Sequence, residues 1–258
     1  MIKEYATKII VSENSVEYLK YEKPIEYGYK YKGRPPRPMC PNPDDKMWEM
    51  NKLRNRKNSN IRATIKMRRL VENNFCVDTA VFITLTFSED ITDVSVGSKE
   101  FKCFIQRLRG RFNGFKYVAV VDFTKKERIH YHMIADVPNN ENQISKIWGM
   151  GWIKIKPMYD LNRMVGYLCK HLFSRVEDSK MYGKKAFFSS RNLKKPKILV
   201  GEEAENFIKA RSRVLRKNQL SEKLYDTPYN GKLVVIKYKK NPIRKLPKRK
   251  VKKKMPMD

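Results

Sequence analysis

Val121-Asp-Phe-Thr-Lys-Lys-Glu-Arg-Ile-His-Tyr-His-Met-Ile-Ala-Asp136 holds two of the chain's three histidines, His130 and His132, with one residue between them. On an extended strand side chains alternate between faces, so His130 and His132 project from the same side. Ile129, Tyr131 and Met133 then point the other way, as a core-facing set. The runs Phe115 to Phe123 and Ile129 to Val137 read as a hairpin across the turn Thr124-Lys125-Lys126-Glu127. Upstream, Ala80-Val-Phe-Ile-Thr-Leu-Thr-Phe87 is rich in β-branched and aromatic residues and reads as a strand. Val81, Ile83, Leu85 and Phe87 share one of its faces, and Phe82, Thr84 and Thr86 the other.

Helical spacing surrounds this strand group. Phe101, Phe104, Ile105 and Leu108 fall on one side of a helix over 98–112, whose other side carries Lys102, Arg107, Arg109 and Arg111. A helix over 45–74 is basic and only partly periodic. Short helical and strand segments follow at 139–148 and 152–156, and a helix at 160–173 has Asp160 at its N-cap. The basic run 184–200 reads as irregular, 201–218 as a helix and 232–237 as a strand. At the other end, 7–21 reads as a hairpin. Strands joined by hairpins and mixed with helices, without regular βαβ alternation, imply an α+β fold around a central antiparallel sheet flanked by helices.

Charge is the strongest compositional signal. The 258 residues carry 57 Lys and Arg against 27 Asp and Glu, a formal net charge of +30. The tail from Lys237 to Lys254 has 11 basic residues and no acid, yet the rest of the chain stays strongly positive without it. Self-repulsion of that size points to a polyanionic partner. Cys40, Cys76, Cys103 and Cys169 are scattered with no C-x-x-C pair, which argues against a zinc ribbon and for reduced thiols in a cytoplasmic setting. No apolar run is long enough for a membrane span, the start MIKEYATKII lacks a signal-peptide pattern, and no phosphate loop is present.

Two constellations carry chemistry. His130 and His132 could chelate one divalent ion, Mg²⁺ or Mn²⁺, with a carboxylate completing the set. Asp122 lies eight residues before His130, across the hairpin; Glu127, in the turn, is the competing carboxylate and reads more simply as a solvated charge. The second is Val165-Gly-Tyr-Leu-Cys-Lys-His171, where Tyr167, Lys170 and His171 share a helix face. Tyr167 is a candidate nucleophile and Lys170 its helper, since a phenol that ionises near pH 10 needs cationic assistance. His171 reads as a packing or surface histidine.

Three blocks in order, FITLTFSE (82–89), IHYHMI (129–134) and VGYLCKHL (165–172), resemble the motifs of HUH endonucleases, in particular single-tyrosine rolling-circle replication initiators of plasmid and phage type. WGMGWIKIKP (148–157) and SSRNLKKP (189–196) are similar too. The resemblance covers about residues 50–200. It implies a five-stranded antiparallel sheet with the histidine strand central and the tyrosine helix alongside. It further implies metal-assisted attack of Tyr167 on a phosphate of single-stranded or hairpin origin DNA, giving a 5′-phosphotyrosine and a free 3′-OH, with later rejoining. Relatives of this type usually carry Glu where Asp122 stands. A relaxase or single-tyrosine transposase would share this chemistry; a non-catalytic basic nucleic-acid-binding protein would share only the charge.

On this reading residues 1–49 form a hairpin and a basic Pro/Tyr-rich arm, 50–200 the catalytic domain, 201–238 a helix-and-strand extension and 239–258 a disordered basic tail. DNA contacts are expected from Thr84, Thr86, Arg107, Arg109, Arg111, Arg191, Lys194 and Lys195. The missing phosphate loop implies a helicase from the host or a separate gene, working with a host DNA polymerase.

Overall fold

A computed structural model describes residues 3–28, 46–174, 178–227 and 229–240. In chain order these form β1 (Lys3–Val11), β2 (Ser15–Tyr27), α1 (Lys46–Asn74), β3 (Val81–Thr86), α2 (Val94–Arg111), β4 (Tyr117–Phe123), β5 (Ile129–Ala135), α3 (Glu141–Trp148) and β6 (Ile153–Pro157). They continue with α4 (Leu161–Ser174), β7 (Phe188–Ser189), β8 (Lys197–Val200), α5 (Glu202–Lys217), β9 (Gln219–Thr227) and β10 (Gly231–Lys239). The chain divides into two compact units, Lys30–Pro196 and the pair Met1–Tyr29 with Lys197–Asp258. Each has its own five-stranded antiparallel sheet, so the α+β class holds.

The sheet of the Lys30–Pro196 unit runs β6-β3-β5-β4-β7, with β5 at its centre. Alternation divides its two faces cleanly. Ile83, Leu85, Val121, Ile129, Tyr131 and Met133 face a core shared with Phe101, Phe104 and Leu108 of α2 and with Ile144 and Trp148 of α3. Phe82, Val118, Val120 and Ile134 face the other way, against Met67 and Val71 of α1 and Val165, Leu168 and Leu172 of α4. Tyr131 is fully buried and stacked on Phe101, with ring centroids 4.4 Å apart and planes 13° from parallel. Burial lifts its phenol to a pKa of about 12.

Capping side chains start the helices where the hydrophobic periodicity begins. Asp93 accepts from Ser95 N at 2.7 Å, Asn140 from Gln143 N at 3.1 Å, and Asp160 from Arg163 N at 3.1 Å. Helix α3 ends on Gly149 in the left-handed region, φ 64°. Two residues on, Gly151 has φ 144°, and a Cβ there would overlap Ser88 N and Thr86 O of the neighbouring strand. That glycine lets the chain turn into β6 in close contact with the end of β3.

The second unit has the order β8-β1-β2-β10-β9, so the hairpin at the start of the chain pairs with strands from beyond residue 197. Ile9, Val16, Leu199 and Tyr238 pack with Ala204 and Leu215 of α5. Glu202, Glu203 and Glu205 stand in the first turn of α5, Arg216 and Lys217 in the last, which complements the helix dipole at both ends.

Several sequence expectations need adjustment here. The run 184–200 contains β7 and β8 rather than irregular chain alone. Strand β9 has no counterpart in the sequence reading, because QLSEKLYDT is mostly polar, with Leu220 and Leu224 four residues apart and no period-2 alternation. Strand β2 continues to Tyr27, and the arm beyond it, 29–45, and the tail, 241–258, lie outside the described residues. Among the described residues no helix is long and apolar enough to cross a membrane.

Gly151→Ala should lower stability by about 1–3 kcal/mol, because it forces a side chain into a positive-φ position against backbone. A urea titration should find a reduced midpoint at unchanged slope. An unaltered midpoint would mean the loop has room to relax.

Candidate metal centre

Register builds the site in rows across the sheet. Asp122 pairs with His130 and Val120 with His132 between β4 and β5. On the other side of β5, Thr86 pairs with His130 and Thr84 with His132. Directly paired residues share a face, so Asp122, His130, His132, Thr84 and Thr86 all project on the side covered by α1 and α4.

Three imidazoles converge on one carboxylate oxygen. Asp122 Oδ2 lies 3.2 Å from His130 Nε2, 3.7 Å from His132 Nε2 and 2.7 Å from His171 Nδ1. The two β5 rings meet Nε2 to Nε2 at 3.1 Å. Asp122 and His132 are buried, and His130 Nδ1 is buried without a hydrogen-bond partner. His132 Nδ1 meets Thr84 Oγ1 at 3.2 Å. Were His132 to ligate an ion through Nε2, its Nδ1–H would donate to that hydroxyl, which would fix both tautomer and ring orientation.

His171 is the main departure from the sequence reading. It is no packing histidine: α4 delivers it to Asp122, closer than either β5 histidine. Asp122, His132 and His171 present ligand atoms all within 4.8 Å of one another, a group that could hold a metal ion, and His130 adds a further nitrogen beside them. Separations near 3 Å are what neighbouring ligands on one ion adopt when each bond is about 2.0–2.2 Å. A set of imidazoles and one carboxylate fits a transition ion such as Mn²⁺ better than Mg²⁺, which prefers an all-oxygen shell.

Tyr167 sits one turn before His171 on α4. Its ring meets His171 edge-on at 4.3 Å, His132 at 5.1 Å and Phe82 at 5.6 Å, and it remains 41% exposed. Burial, and then the nearby charge of Asp122, raise its pKa above the usual 10. The phenol therefore needs positive charge at the cluster before it ionises at neutral pH. Lys170 is exposed on the same helix. Glu127 lies in the β4–β5 turn with φ 60°, its carboxylate 2.6 Å from Lys180 Nζ and away from the imidazoles.

The remaining sequence candidates lie in three different settings. Thr84 and Thr86 are on the site face. Arg107, Arg109 and Arg111 belong to α2, which covers the opposite face of the sheet. Arg107 donates to Ile147 O and Trp148 O, both at 2.8 Å, and so caps the C-terminus of α3. Arg191, Lys194 and Lys195 are exposed; the backbone of Lys194 is fastened to the end of α1 by Asn74, which both donates to its carbonyl and accepts from its amide at 2.8 Å. Beside His171, α1 contributes Arg56 and Asn60 to a small cleft that Lys184 also lines. Arg56 lies over the Tyr182 ring at 3.3 Å.

Mn²⁺ should raise the melting temperature of the wild-type protein at pH 7.5 and leave Asp122→Asn unchanged. His171→Ala and Thr84→Val should each weaken Mn²⁺ binding about tenfold or more, measured by calorimetry. Burial holds the His132 pKa below 6.5. Its contribution to metal-free stability is therefore complete above about pH 6.5 and is lost as the pH falls through the folded value. Proton competition acts in the same direction, so the Mn²⁺-induced rise should shrink progressively below about pH 6. A rise that persists at pH 5 would argue against imidazole ligation.

Residues 80–174 match a family model described as replication-associated protein, of the ORF2 type. No curated protein and no solved structure matches the chain. The matched stretch runs from the start of β3 to the end of α4 and so includes Asp122, all three histidines and Tyr167. Over that stretch the chain is similar to replication-associated proteins, and the similarity supports a role in DNA replication.

Proposed function

We propose that this protein initiates rolling-circle replication by nicking single-stranded origin DNA with Tyr167 and later rejoining the strand. The observation that carries the reading is the packing of the Tyr167 ring against two imidazoles of the Asp122 cluster, at 4.3 and 5.1 Å. A merely DNA-binding protein has no need for three buried or half-buried imidazoles around a carboxylate beside an accessible phenol.

The steps follow from these groups. Tyr167 Oη attacks the phosphorus of a phosphodiester, a P–O bond to the phenol forms and the P–O3′ bond breaks. The phenolic proton is lost as the nucleophile forms, and the departing 3′-oxygen takes up a proton. The products are a 5′-phosphotyrosine and a free 3′-OH, and one ester has replaced another. The reverse attack by a 3′-OH on the phosphotyrosine restores the phosphodiester and releases the phenol. A divalent ion, Mn²⁺ or Mg²⁺, held by Asp122, His130, His132 and His171 would polarise the phosphate and favour the ionised phenol. Lys170, one turn along α4 from Tyr167, is suited to neutralising phosphate charge once DNA is bound. The 3′-OH is a primer for a host DNA polymerase, and a separate helicase would displace the strand. Such work belongs in the cytoplasm, with residues 50–200 as the catalytic part.

The test is a denaturing gel with Mn²⁺ and single-stranded oligonucleotides tiling the intergenic region of the replicon. Wild type should form a metal-dependent covalent adduct, and Tyr167→Phe and the His130→Ala/His132→Ala double variant should form none. Lys170→Ala should slow adduct formation about 10²-fold. Adduct formation by Tyr167→Phe would assign the nucleophile elsewhere.

A further inference from the structure

Strand β6 lies beside the site, and its outward set of side chains is unlike that of a simple edge. Lys154 pairs with Thr84 and Lys156 with Phe82. The bond from Thr86 N to Trp152 O, at 2.8 Å, continues the register one step and aligns Trp152 with Thr86. The rows across the sheet are therefore Trp152–Thr86–His130–Asp122 and Lys154–Thr84–His132–Val120. Ile153 and Ile155 take the other face, packed against the core under α2 and α3. Alternation thus brings an indole and two ammonium groups onto the face of the candidate metal centre.

None of the three serves the core. Trp152 is 65% exposed, and Lys154 and Lys156 are exposed beside it. A tryptophan left in water forgoes a large burial gain, which makes its exposure informative where an isolated leucine's would not be. Its backbone is nonetheless firmly placed: Gly151 turns tightly against Ser88 and Thr86, and Met150 O accepts from Ser88 N at 2.8 Å. Helix α4 covers Phe82, Val120 and Ile134, whereas Thr86 beyond it is half-buried and the His130 side chain keeps 13% of its surface exposed. Exposure thus falls off along the row from Trp152 through Thr86 to His130, and solvent still reaches the edge of the cluster. Two strand spacings span about 10 Å, so one bound oligonucleotide would touch both β6 and the cluster.

We infer that a single DNA strand reaches the Asp122 cluster across β6, with one base stacked on Trp152 and the adjoining phosphates held by Lys154 and Lys156. This rests on the nicking function proposed above and defines how the substrate lies at that site. Stacking on an exposed indole needs a base face released from the duplex, and paired lysines follow the backbone without regard to sequence. The row therefore selects single strands and leaves sequence choice to other parts of the chain.

The experiment uses the full chain in EDTA, which silences metal chemistry, with fluorescein-labelled oligo-dT and anisotropy as the readout. Trp152→Ala should weaken binding about tenfold, and Trp152→Phe should restore most of it. Lys154→Ala/Lys156→Ala should reduce the slope of log affinity against log salt by about 1.4, for two phosphates at ~0.7 each. Wild-type affinity and slope in these variants would overturn the inference. So would an equal loss of slope in Arg109→Ala/Arg111→Ala on the opposite face, which would indicate general charge attraction, or equal affinity for duplex. Adduct formation is scored separately in Mn²⁺. If the binding losses appear but wild type forms no adduct, the strand path stands and the nicking function falls.

Discussion

A carboxylate held among imidazoles, away from water, is the constraint around which the Lys30–Pro196 unit is built. Removing Asp122 from solvent costs several kcal/mol unless its charge is compensated. Three imidazole nitrogens close to it, from His130, His132 and His171, come from two different elements. Meeting that requirement fixes the β4–β5 register, the β3–β5 register through Thr84, and the position of α4 over the sheet. The apolar residues around it, Phe82, Val120 and Leu168, hold those positions while lowering the local dielectric. The same packing that stabilises the sheet thus sharpens the electrostatics of the site.

Much of this was legible because it depends on short-range periodicity. One residue between His130 and His132 on a strand is sufficient to put both on one face, and a short hairpin turn brings Asp122 opposite His130. The alternation of β3 likewise separated Ile83 and Leu85 from Thr84 and Thr86. His171 was not legible. Its sequence position says only that it shares a helix face with Tyr167, and which neighbour that face meets depends on how α4 docks. Trp152 has the same character: its face is set by pairing with β3, a strand far away in sequence. The second sheet was hidden because it is assembled from both ends of the chain. Its β9 has exposed apolar residues, Leu220 and Leu224, spaced among charges, a pattern that no single-strand rule distinguishes from a loop.

Positive charge is unevenly used. Arg107 is committed to the carbonyls of α3, and Lys180 and Lys184 tie the segment after α4 to Glu127 and to Ser95. Arg56 lies over Tyr182 and donates to Asp178 O. Arg107, read in sequence as a DNA contact, is thus a fastener between elements, as are Arg56, Lys180 and Lys184, and the +30 total overstates what faces a polyanion. The segment Asp178–Lys184 touches α1, α2 and the β4–β5 turn through these bonds. It braces the hairpin that carries Asp122.

Tyr167 and His171 ride on the same helix, one turn apart, while Asp122 and His132 are rooted in the sheet. A rigid helix cannot shift one of its residues without the other, so any slide or roll of α4 moves the phenol and the imidazole together. Occupancy of the cage by a cation and alignment of the phenol would then be a single equilibrium seen from two ends. An ion held there would act as a latch on the helix as well as a chemical participant. Through that coupling, the protein would be correctly assembled for attack mainly when the means of assisting it are already in place.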